Sequence, residues 1–84
     1  MKAAVRAVLF NLVINSEGEK IKTIYTILES PFLEVPPDQT AEEAFMTESG
    51  YLRAAVSGVI RDGLEIVAKG FANHFELYII EEEE

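Results

Sequence analysis

The residues able to carry chemistry are few. His74 is the single histidine and there is no cysteine, so a disulfide framework and every thiolate metal site are excluded, and no zinc-type cluster can be assembled. A general base needs a nucleophile within reach and a third group to orient it. No motif in this sequence supplies both for His74, and there is no glycine-rich phosphate loop. Glu42, Glu43 and Glu48 could pair as carboxylates, but they sit on a charged segment beside a turn, where a solvated strand edge explains them. Arg6, Arg53 and Arg61 fall on the outer sheet face in the reading below, a small basic patch without the interleaved aromatic residues on which RNA bases stack. The sequence thus predicts no catalytic residue, no metal and no cofactor, and RNA contact that is weak at most.

Charge points the same way. The formal net charge is -8, which opposes unassisted binding to nucleic acid or to an anionic membrane. Half of it lies in Glu81 to Glu84, read as an acidic tail to a single α+β domain over 1–80. Hydrophobic residues make up 49% of the chain and charged ones 26%, the balance of a folded domain rather than a disordered one. Lys2 and Arg6 precede an apolar run, but Asn11 interrupts it and no cleavage site follows, so Met1 to Ile14 reads as core rather than as a leader or membrane span. A cysteine-free, soluble chain of this kind is expected in the cytoplasm.

The elements follow from periodicity and punctuation. Ala3 to Ile14 is apolar at both alternate sets and predicts a strand covered on both faces. Ser16 with Glu19 reads as a capping box, opening a helix in which Ile21, Ile24, Tyr25 and Leu28 hold helical spacing, although Thr23, Thr26 and Ile27 also suit a strand. Pro31 stops it, and Pro36-Pro37-Asp38 marks a loop. A strand over Glu42 to Glu48, a turn at Glu48-Ser49-Gly50 and a strand over Tyr51 to Arg61 come next. Asp62 then caps a last helix running to Ile80. One long helix from Tyr51 to Ile80 is the rival, opposed by Gly58, Gly63 and Gly70 at roughly 1 kcal/mol each. The predicted order is β-α-β-β-α: a two-layer domain with a three-stranded antiparallel sheet and two helices on one face.

On the last helix of that reading, Leu64, Val67, Ala68, Phe71, Phe75, Tyr78 and Ile79 form a core stripe. Ile66, Gly70, Asn73, Leu77 and Ile80 fall on the opposite side, where only a partner could cover them. Glycine allows close backbone approach and asparagine can bond another chain's backbone.

With this element order, the chain resembles the small dimerisation subunit family of the KEOPS complex, the assembly that makes threonylcarbamoyladenosine in tRNA. The likeness spans nearly the whole chain: the first strand, the Ser16 opening of the first helix with its Ile24-Tyr25 step, Val35-Pro36, the turn at Gly50, and Lys69-Gly70-Phe71-Ala72-Asn73-His74-Phe75 in the last helix. Lys69 stands where the family prefers arginine, and lysine lacks arginine's bidentate fork. The resemblance implies a non-catalytic accessory subunit, divergent within the family, that pairs with itself or a related small subunit and docks on the catalytic subunit. Ile66, Lys69, Gly70, Asn73, Leu77 and Ile80 are then the expected partner-binding residues. An acidic inhibitor that occupies a basic nucleic-acid site is the competing expectation, motivated by the net charge.

Overall fold

The sheet is built on one long central strand. The computed structural model describes residues 1–46 and 50–82. Its elements run β1 (Lys2–Ile14), β2 (Lys20–Glu29), β3 (Leu33–Glu34), α1 (Ala41–Phe45), α2 (Tyr51–Ala68) and β4 (His74–Glu82). β1 pairs antiparallel with β2 on one side and with β4 on the other, and β3 continues the β2 side past a break at Ser30. The chain is therefore α+β with an antiparallel sheet and two helices, as predicted, but the sheet has four strands rather than three and the order is β-β-β-α-α-β rather than β-α-β-β-α.

β1 is the strand expected from its apolar run. Ala3, Val5, Ala7 and Leu9 point into a single core with Val35, Ala41, Ala44, Phe45, Leu52, Val56, Val59 and Ala72, so both helices pack on the same face of the sheet. No described element packs on the other face, and the expectation that β1 is covered on both faces is corrected: on that face Arg6, Val8 and Leu12 are only half-buried and Ile14 is exposed.

The predicted first helix is β2. Asn15 accepts the Gly18 amide at its backbone carbonyl, and its side-chain Oδ1 takes the amides of Glu17 and Glu19, while Gly18 sits at φ 82°. These bonds make a hairpin turn from the residues that had read as a helix start. The capping box lies further on, where Glu43 N–H donates to Thr40 Oγ1 at 3.1 Å and Thr40 N–H donates to Glu43 Oε1 at 3.3 Å. It opens α1 where a strand over Glu42 to Glu48 was predicted. The expected turn at Glu48-Ser49 lies outside the described residues, and Gly50 is the N-cap of α2.

α2 replaces the predicted strand over Tyr51 to Arg61. It passes straight through Gly58 and Gly63, burying Leu52, Val56, Val59 and Gly63 at helical spacing. Three buried aliphatic side chains, at about 1.5 to 3 kcal/mol each, outweigh two helical glycines at roughly 1 kcal/mol each. Asp62 is mid-helix, 3.3 Å from Arg61 Nε, and caps nothing. The helix ends where Gly70 adopts φ 83°: Gly70 N–H donates to Val67 O and Phe71 N–H to Ile66 O. This is a Schellman motif. The predicted second half of the last helix is β4, with Glu81 and Glu82 in the strand opposite Ala3 and Lys2 rather than in a tail.

Candidate functional site

The uncovered sheet face is where unlike residues converge. In register with β1, this face carries Arg6, Val8, Phe10 and Leu12 in the centre, with Lys22, Ile24, Ile27 and Glu29 from β2 and His74, Glu76, Tyr78 and Ile80 from β4. Residues directly opposite in an antiparallel pair share a face. One irregularity shapes it: the β1–β2 register shifts between Leu9 and Phe10, which leaves Tyr25 as an extra residue and puts both Ile24 and Ile27 on the open side.

A polar frame surrounds this apolar floor. Lys22 Nζ lies 4.2 Å from the centroid of the Phe10 ring and 3.2 Å from Glu76 Oε1. His74 stacks on the other side of Phe10, centroids 5.3 Å apart, so Phe10 is buried with no helix above it. Arg6 reaches Glu29 at 3.2 Å, while its Nε is buried without a hydrogen-bond partner. Tyr78 donates its hydroxyl to the second Glu76 oxygen. That bond first, and the one from Lys22 second, hold the Glu76 carboxyl below the ordinary range, and the same carboxylate pushes the Tyr78 phenol up. Between these groups runs a shallow trough of about 490 Å³, lined by Arg6, Val8, Lys22, Ile24, Tyr78 and Ile80 among others.

The residues expected to bind a partner do not share a stripe. Ile66 is half-buried against the core. Lys69 is the C-cap of α2 and pairs with Glu65 at 3.0 Å, and Gly70 ends the helix. Asn73 turns inward: its Oδ1 accepts Leu12 N–H at 3.0 Å and its Nδ2 donates to Leu12 O at 3.4 Å, extending the β1–β4 pairing through a side chain. Leu77 is on the helix side of β4 and Ile80 on the open face. A helix groups residues three and four apart, whereas a strand separates odd from even, so Leu77 and Ile80 part company. Phe71, expected in the core, is 51% exposed and stacks on Tyr25.

The arginine patch also dissolves, because Arg53 and Arg61 ride on α2 while Arg6 stays on the open face. His74 is occupied on its Nδ1 edge. Asn73 Oδ1 already accepts from Leu12, so the 2.6 Å contact requires His74 Nδ1 to be the donor. No helix among the described residues is long and apolar enough to cross a membrane. The signal that could have found the open face was the pairing of Ile24 and Ile27 with the alternation of His74, Glu76, Tyr78 and Ile80, both masked by helical spacing. Compared with known proteins, the chain matches no family model, no curated protein and no solved structure.

Proposed function

We propose that this chain is a non-catalytic accessory subunit that docks a protein partner on the open face of its sheet. The observation that carries the reading is the exposure of that face, where Ile24 is 57% and Ile27 50% exposed. An apolar floor framed by charges is the surface a partner's apolar side chains would complete. The paired state of Lys22, Glu76 and Tyr78 supports a binding role over a catalytic one.

In its narrower form the proposal makes the chain an accessory subunit of a KEOPS-like complex, supporting threonylcarbamoyladenosine modification of tRNA. That form rests on residue likeness, since Lys69 to Phe75 span a helix end, a turn and the start of a strand. Co-expression with the small and catalytic subunits of such a complex, followed by pull-down, tests it. The expected result is capture that Ile27→Glu abolishes and Leu64→Glu on α2 leaves intact, persisting at moderate salt. Capture of neither subunit overturns the narrower form. Loss of capture at moderate salt points instead to the acidic inhibitor. Turnover by the purified chain that a single side-chain change removes overturns the non-catalytic role.

A further inference from the structure

The two edges of the sheet are unequally protected. The β2 edge carries the bulge at Tyr25, Lys20 and Lys22, and the Ser30-Pro31 break, all devices that discourage another strand from adding on. β4 has none of them. It pairs with β1 alone among the described strands, shows no register shift, and reads His-Phe-Glu-Leu-Tyr-Ile-Ile-Glu-Glu without proline, glycine or lysine. On its helix side Leu77 stays 41% and Ile79 37% exposed.

The direction of its backbone groups follows from the hydrogen bonds. Ser30 N–H donates to Val5 O, so the odd residues of β1 face β2, while Phe10 O and Leu12 N bond to Asn73, so the even residues face β4. Their partners Ile80, Tyr78, Glu76 and His74 therefore face β1. The N–H and C=O groups of Phe75, Leu77, Ile79 and Glu81 are left pointing outward.

We propose that β4 pairs antiparallel with β4 of a second copy of this chain, Tyr78 lying opposite its own counterpart. The strand is self-complementary in that register. Leu77 meets Ile79 of the other copy, which joins the two exposed apolar strips across the two-fold axis, and His74 meets Glu82. Glu76 falls opposite Ile80 and Glu81 opposite Phe75, so no acid faces an acid. Centring on Ile79 instead sets Glu76 against Glu82, and centring on Leu77 sets Glu81 against Asn73, which is already bonded to β1. The whole of β4 pairs only when Tyr78 is central. The result is one continuous sheet with both helical layers on one side and both open faces on the other. This deepens the accessory-subunit reading by naming one partner, and it is tested without the other.

Sedimentation of the full chain at tens of micromolar is expected to give twice the 9.4 kDa chain mass. Ile79→Pro, which removes an outward N–H and spares the bonds to β1, and Leu77→Lys are both expected to give a folded monomer. Ile27→Glu on the open face is expected to remain a dimer. Because the chain has no cysteine, Tyr78→Cys reports the register: mild oxidation is expected to crosslink it to its copy, and Glu76→Cys is expected not to crosslink. A monomeric wild-type chain overturns the inference, as does a dimer that withstands Leu77→Lys but not Ile27→Glu. The latter leaves the open-face reading standing. Crosslinking at residue 76 in place of 78 overturns the register. If Ile79→Pro does not fold, Leu77→Lys and the crosslink decide.

Discussion

Asn73 shows how a polar residue on a surface element can be internal in its bonding. Its amide closes both polar groups of Leu12 just beyond the last regular β1–β4 pair. Asn73→Ala is expected to lower stability by about 1 to 2 kcal/mol, two net hydrogen bonds' worth, and to speed exchange of the Leu12 amide. Unchanged exchange at Leu12 would sink the idea that this side chain holds the strand. Glu76 gives a pH signature. Its folded pKa is depressed by the Tyr78 hydrogen bond and then by Lys22, so its stabilising contribution is present above the unfolded value and is lost as pH falls through the lower folded one. An NMR titration is expected to place Glu76 below the ordinary carboxylate range, and Tyr78→Phe to move it back toward that range. Titration of Glu76 in the ordinary carboxylate range in the wild-type chain contradicts this.

Among elements, the glycines of α2 and its cap differ in what they require. Gly70 at φ 83° has open space around a prospective Cβ, so Gly70→Ala meets no clash and suffers only backbone strain, about 1 to 2 kcal/mol. Gly58 lies in regular helix, also with open space, and Gly58→Ala is expected to stabilise by about 0.5 to 1 kcal/mol through helix propensity. Urea midpoints moving in the same direction for the two would show that α2 does not end at the Schellman motif.

For the whole molecule, shape carries the argument. The extents are 51 × 26 × 17 Å with a radius of gyration of 15.1 Å, against about 12 Å for a compact domain of this length. The accessible surface of 5739 Å² exceeds the roughly 5,000 Å² expected of a compact monomer of this mass. A thirteen-residue β1 sets the long axis, and its hairpin with β2 runs beyond the helices. The core is correspondingly small, with Phe45 and Leu9 its largest fully buried side chains. Phe45→Ala is expected to remove about 3 to 5 kcal/mol, a large share of the total for so small a domain. Phe71→Ala, half exposed on Tyr25, is expected to lose much less. Equal shifts in thermal melts of the two variants would place Phe71 in the core after all.

Local signals sufficed for the α+β class, for β1 with its apolar run, and for the break at Pro31 and the loop at Pro36-Pro37, because these depend on composition and on single residues. Elements whose apolar spacing fits two periods needed tertiary structure. The bulge at Tyr25 lets Ile24 and Ile27 share a face three residues apart, so β2 imitates a helix in sequence and only its pairing with β1 reveals the strand. In α2 the glycine penalty argued for a break, and burial against β1 overrode it. Phe71, Phe75, Tyr78 and Ile79 hold helical spacing, yet the Gly70 cap ends the helix and the open side of β1 recruits the residues beyond it as β4. That recruitment moved every expected partner residue past Gly70. A strand divides its side chains between two faces, and only the assembled sheet decides which face is left uncovered.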